Sequence, residues 1–163
     1  MKFSSFLVII SSLILGNYID SLLVIAVNKP YFEISFLTMI FFYWCYAAPQ
    51  YFSLTIIIIC GVIIDFINAN YLGANTLVFI IYSLVIKTYV FRLRLFSQVQ
   101  VSLVFGLLSS LGFTYFYYIL FPDGYQYTKL TFNFFTTIIL WPFVFSACRY
   151  LTRNFAFELK WNL

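Results

Sequence analysis

The sequence contains no histidine, and only 9% of its 163 residues are charged. A soluble domain carries roughly 25% charged residues. Because 64% of the residues are hydrophobic, the chain could not cover its own surface with polar groups, and lipid is the expected solvent for much of it. The composition therefore excludes an ordinary soluble domain and predicts an integral membrane protein.

The sequence is also poor in the groups that build metal sites and catalytic centres. Its three cysteines, Cys45, Cys60 and Cys148, lie far apart inside apolar runs and form no CxxC pair. A zinc site or a disulfide framework is therefore not expected. The chain lacks paired carboxylates at helical spacing, a GxSxG motif and a phosphate-binding glycine loop. We predict no cofactor, no metal and no enzymatic activity.

The net charge of +4 does not indicate a nucleic-acid partner, because the basic residues lie at the ends of apolar runs, where they act as topology signals. With a cytoplasmic N-terminus, two basic residues, Lys29 and Lys129, lie outside. The cytoplasmic side then receives Lys2, Lys87, Arg92, Arg94, Arg149, Arg153 and Lys160. This bias predicts that both termini are cytoplasmic and that the number of spans is even.

Six apolar runs follow one another, with short turn-like joints between them. They cover about residues 3–19, 31–48, 51–67, 71 or 75 to 91, 98–121 and 130–148. A spanning helix needs about 20 mostly apolar residues. We therefore predict an all-α membrane protein, with six transmembrane helices in a compact bundle that forms a single integral membrane domain over residues 1–163.

The first run resembles a signal peptide, but it lacks a small-residue cleavage site, so we expect a retained first helix. Asp20 interrupts the run. The stretch from Leu22 to Val27 is then expected either as an interfacial continuation or as a segment that re-enters the membrane. Asp20 and Glu33 are expected to be solvated residues at the outer membrane surface.

Asp65 is the main candidate for a functional polar residue, because ionisable groups inside membranes are usually functional. Gly61 and Asp65 are four residues apart and share one helix face, so the glycine should let another helix approach where the carboxylate lies. Three interpretations of Asp65 remain open. It caps the helix end or binds the turn at 68–75, which is the favoured interpretation; it contributes to a partner site; or it couples protons or ions.

Two further features concern helix packing. Ser102, Gly106 and Ser110 form a stripe of small residues at spacing four in the fifth run, which serves packing within the chain or against a partner helix. Trp141 precedes Pro142 in the sixth run, and proline inside a helix usually kinks it. The hypothesis is that a membrane partner docks on helix five or six, at this stripe and kink.

Several short motifs occur in an order and spacing that cover nearly the whole chain. They are FYWCYAAP at 42–49, GVIID at 61–65, LGANTL at 72–77, LWPF at 140–143, and Arg149. Together they resemble the rod shape-determining protein MreD family. The chain departs from that family in the turn at 68–71, where a glycine-serine is common, and after Pro30, where an aromatic and an acidic residue follow.

The resemblance implies a non-enzymatic component of the bacterial inner membrane that supports cell elongation and peptidoglycan synthesis. Such a protein is a scaffold that binds MreC, and through it connects MreB filaments with RodA and penicillin-binding protein 2. The family is also similar in fold to the substrate-binding subunits of energy-coupling-factor vitamin transporters. A substrate-binding subunit of a small-molecule transporter is therefore the alternative function.

Overall fold

The computed structural model describes residues 3–27, 35–49, 52–68, 73–120 and 127–155. These residues form six α-helices and no strand. The helices are α1 (Phe3–Val27), α2 (Phe36–Ala47), α3 (Leu54–Ile67), α4 (Ala74–Leu93), α5 (Gln98–Leu120) and α6 (Tyr127–Phe155). The expectation of an all-helical protein is confirmed for this part of the chain.

The first helix follows the continuation that the sequence left open. α1 runs through Asp20 as one helix of 25 residues, so residues 22–27 extend the first apolar run and do not form a separate segment. The Asp20 side chain binds the backbone of another helix. The predicted start of α2 at Tyr31 lies outside the described residues.

The last helix is longer than predicted. α6 has 29 residues and runs through Pro142 without ending there. A proline removes one backbone hydrogen bond, and membrane helices tolerate this loss where neighbouring groups compensate.

The short helix α2 lies at the centre of the fold. It contacts α1, α4, α5 and α6. Its buried residues occupy every side of the helix: Leu37, Met39, Ile40, Phe41, Phe42, Tyr43, Trp44, Cys45 and Ala47. A helix that is apolar all round is a buried helix, so α1, α4, α5 and α6 are arranged around α2.

Aromatic rings hold α2 against its neighbours. Phe41 stacks on Phe79 of α4 with 4.1 Å between ring centroids and an interplanar angle of 11°. The ring centroid of Phe42 lies 5.0 Å from that of Phe105 on α5. Pairs of this geometry add about 0.5–1.5 kcal/mol beyond the burial of their apolar area. The core is therefore an aromatic cluster around α2.

The outer surface is apolar. Large hydrophobic side chains are exposed on α1, α3, α4, α5 and α6. Soluble monomers rarely expose contiguous apolar patches of more than a few hundred Å². Two described stretches, Asn75–Leu93 with 19 residues and Leu130–Asn154 with 25, are long and apolar enough to cross a membrane. The shorter apolar stretches are Leu7–Leu23, Phe36–Ala47, Leu54–Ile67 and Gln98–Gly112.

Candidate functional site

Asp65 caps the first turn of α4. It lies near the end of α3 and is 1% exposed. Its Oδ2 accepts hydrogen bonds from the Gly73 N–H at 2.9 Å and the Thr76 hydroxyl at 3.0 Å. Its Oδ1 accepts one from the Asn75 N–H at 2.9 Å. The first N–H groups of a helix have no partner within the helix, and this end of the helix favours negative charge.

This arrangement matches the favoured interpretation of Asp65, in which the carboxylate binds the turn before the next helix. Gly73 gives the turn its shape, since it has a φ of 100° and lies in the left-handed region that glycine enters without strain. A role of Asp65 in partner binding stays a prediction.

Gly61 brings α3 and α4 together one turn before the carboxylate. A Cβ atom at Gly61 would lie 2.6 Å from both the Cα and the Oγ1 atoms of Thr76. Real Cβ atoms do not approach other atoms so closely, so no larger residue fits without moving α4. α4 thus approaches closely at Gly61, one turn before the carboxylate.

Asp20 makes the same kind of cap for the central helix. Its Oδ1 accepts from the Phe36 N–H at 2.7 Å, and its Oδ2 accepts from the Leu37 N–H at 3.0 Å. These two residues begin α2. The sequence predicts that Asp20 is a solvated residue at the surface; it is partly exposed, and its carboxylate also satisfies the N-terminal backbone groups of α2.

Gly16 stands in the same relation to Asp20 as Gly61 does to Asp65. A Cβ atom at Gly16 would lie 2.7 Å from Ile40 Cδ1 and 3.3 Å from the Leu37 Cα atom. Gly16 and Asp20 are also four residues apart. The α1–α2 and α3–α4 hairpins thus share one device, a glycine that lets two helices touch and an aspartate that caps the second. We call it the Gly–Asp lock.

Sequence reasoning found one lock and missed the other, although the shared spacing of four was available as a signal. The residues that Asp65 binds begin eight positions further on, whereas those that Asp20 binds lie 16 and 17 positions away. The longer connection leaves no local turn pattern that would link the carboxylate to the helix it caps.

An amide pair joins the two locks. Asn17 Nδ2 donates to Asn68 Oδ1 at 2.8 Å, and Asn68 Nδ2 donates to Asn17 Oδ1 at 3.0 Å. Asn17 is three residues before Asp20, and Asn68 is three residues after Asp65, so the pair lies about one helical turn from each carboxylate. We call the Asn17–Asn68 pair the amide bridge.

Polar contacts also fix the rest of α2. Trp44 Nε1 donates to the Ser12 hydroxyl of α1 at 2.8 Å. At the other end of α2, Lys87 of α4 donates to the backbone carbonyl of Phe52. Asp20 thus places a carboxylate at the N-terminus of α2, where the helix dipole favours negative charge, and Lys87 binds a residue just before α3 begins.

The stripe of small residues on α5 faces the interior. Ser102 and Ser110 are buried. A Cβ atom at Gly106 would lie 3.0 Å from Ile138 Cγ1 and 3.3 Å from the Phe134 carbonyl oxygen, both on α6. The hydroxyls of both serines donate to carbonyls of α5 itself. α6 of the same chain therefore packs against Gly106 in the middle of the stripe.

Trp141 and Pro142 lie on different faces of α6. Trp141 is fully buried, and its ring lies 4.5 Å from that of Phe105 in a T-shaped contact. Its Nε1 has no hydrogen-bond partner within the described residues. Pro142 is exposed. Trp141 therefore packs in the core, whereas Pro142 lies on the surface of α6.

The seam between α1 and α3 contains a small apolar crevice. Its volume is about 10 Å³, and it is lined by Ile10, Leu13, Ile14, Cys60, Ile63 and Ile64. Pockets for drug-sized ligands are about 300–1,000 Å³, so this crevice is far too small to hold such a ligand.

In the described part of the chain, no three His, Cys, Asp or Glu side chains are grouped so that they could hold a metal ion.

Comparison with known proteins identifies the family. The model of the rod shape-determining protein MreD family matches residues 1–151 of this chain. The chain belongs to the MreD family, and the resemblance read from the sequence is confirmed. No curated protein and no solved structure matches the chain.

Proposed function

We propose that this protein is a non-enzymatic membrane scaffold of the bacterial cell-elongation machinery, in which it supports peptidoglycan synthesis along the lateral wall. The observation that carries the proposal is the match of the MreD family model to residues 1–151. The geometry supports a scaffold, because Asp20 and Asp65 both serve to cap helices of their own chain.

In this proposal the chain crosses the bacterial inner membrane as a single six-helix domain, with both termini in the cytoplasm. α2 and α3 have 12 and 14 residues, so their lengths are about 18 and 21 Å, against a hydrocarbon core of about 30 Å. Because α2 is enclosed by other helices, its short length does not bring its ends into contact with lipid. We also propose that the bundle is similar in fold to the substrate-binding subunits of energy-coupling-factor transporters.

The proposed docking face is the exposed side of α6 around Pro142. Phe135, Ile139 and Phe143 are 61%, 64% and 70% exposed. Ser146, four residues after Pro142, is also exposed, and its small side chain would let another helix approach closely. This face replaces the α5 stripe, which α6 fills. The partner is MreC, a single-span membrane protein, and MreB, RodA and penicillin-binding protein 2 are reached indirectly.

A photocrosslinking experiment tests the scaffold and its docking face. A benzophenone amino acid replaces Phe143 in one variant and Phe91 in the matched control, since Phe91 is a 77% exposed phenylalanine on α4. Irradiation of cell membranes should give an adduct with MreC from position 143 and none from position 91.

The alternative results are informative. An MreC adduct from position 91 alone would move the docking face to α4 and contradict its placement on α6. Failure to obtain an MreC adduct from exposed positions on any helix would contradict the scaffold. Stabilisation of the purified protein by a vitamin, with no MreC adduct, would instead favour a transporter subunit.

A further inference from the structure

The two hairpins of the N-terminal half are each tied internally. In α1–α2, Gly16 allows close contact with α2 and Asp20 binds its first two N–H groups. In α3–α4, Gly61 and Asp65 do the same for α4. Each hairpin therefore has both a steric and a polar constraint, and it is expected to move as one rigid unit.

The seam between the hairpins is built differently. At one end, α1 and α3 are joined by the amide bridge of Asn17 and Asn68. Next to it along the seam lies the apolar crevice, in which Leu13 of α1 faces Cys60 and Ile64 of α3. The crevice is no larger than a water molecule, but α1 and α3 also touch over a much shorter stretch than either helix touches its own hairpin partner, so less dispersion attraction holds the seam closed.

The α3–α4 hairpin has a firm attachment on its other side. Phe79 of α4 stacks on Phe41 of α2, and Tyr82 of α4 lies 4.9 Å from the ring of Phe42. A rotation about this aromatic contact would move α3 away from α1 while α2 and α4 stay together. The hairpin is therefore attached firmly through α4, which packs on α2, and weakly through α3, which packs on α1. This arrangement allows a hinge at the α2–α4 contact.

We propose that the α1–α3 seam is a lateral gate between two rigid hairpins. The amide bridge acts as its latch, because its two hydrogen bonds hold α1 and α3 together in the closed state. Hydrogen bonds between neutral side chains in membrane proteins are weak on average, so an open minor state is within thermal reach. Opening uncovers buried apolar residues of the seam, namely Leu13 and Cys60, to the bilayer. The proposal does not depend on any partner of the protein.

Distance measurements between spin labels in lipid nanodiscs test the gate. The labels are placed at Tyr18 on α1 and Phe66 on α3, which are exposed and lie one and two residues from Asn17 and Asn68. The three buried cysteines are replaced by alanine in all samples. The wild-type bridge should give a main short distance and a minor longer one, and Asn17→Leu should raise the longer fraction about threefold to tenfold.

Two controls separate gate opening from general loosening. Ser109→Ala removes a buried hydrogen bond of 2.8 Å between α5 and α6, and it should leave the distances unchanged. A label pair within one hairpin, at Phe66 and Leu77, should keep a single distance in Asn17→Leu because the Gly–Asp lock persists. An unchanged longer fraction in Asn17→Leu would overturn the latch, and a broadened Phe66–Leu77 distance would overturn the rigid hairpin.

Discussion

Replacement of Asp65 by alanine should remove the acceptor for three hydrogen bonds at the start of α4. The wild-type carboxylate binds two backbone N–H groups and one hydroxyl at 2.9–3.0 Å, and it is 1% exposed. A buried donor that is left without an acceptor costs about 1–3 kcal/mol. Because Asp65→Ala leaves three such donors, we expect it to lower the free energy of unfolding by about 3–5 kcal/mol.

The assay is reversible unfolding in mixed micelles, followed by circular dichroism as the denaturing detergent is increased. Thr76→Val serves as the matched control, because it removes only the hydroxyl bond to Asp65 and should cost about 0.5–1.5 kcal/mol. If Asp65→Ala costs no more than Thr76→Val, the carboxylate does not organise the α3–α4 hairpin and the account of the lock is refuted.

Two further predictions compare pairs of like residues in the same unfolding assay. Gly61→Ala should lower the free energy of unfolding by about 1–3 kcal/mol, because the new Cβ atom clashes with the α4 backbone. The Cβ atom of Gly73→Ala has no atom within 4 Å, so that substitution acts through the positive φ alone. An unchanged stability of Gly61→Ala would contradict the close approach of the two helices. Trp44→Phe should cost about 1 kcal/mol more than Trp141→Phe, because only the Trp44 indole N–H has a hydrogen-bond acceptor; the reverse order would show that the two environments are misassigned.

The features that sequence reasoning found are those with a local or compositional signal. Run lengths and turn residues located all six helices, and the spacing of Gly61 and Asp65 indicated the close contact of α3 with the helix after it. The family was recognised from short motifs whose order and spacing, rather than any single motif, are distinctive.

The features that it missed depend on contacts between distant parts of the chain. Asn17 and Asn68 are 51 positions apart, and no periodicity links them. The capping role of Asp20 could not be inferred from hydropathy, since a charged residue interrupts an apolar run whether it faces water or caps another helix. The orientation of the α5 stripe toward α6 is likewise decided by packing, because Gly106 would serve equally well at an internal or an external contact.

Depletion of the protein in its bacterial host tests the central claim most directly. Cell shape is followed by microscopy while a fluorescent D-amino acid reports where new peptidoglycan is inserted. The scaffold account predicts that depleted cells lose their elongated shape and their lateral wall insertion, and that the wild-type chain restores both. Cells that stay elongated and continue lateral insertion without the protein would contradict the account.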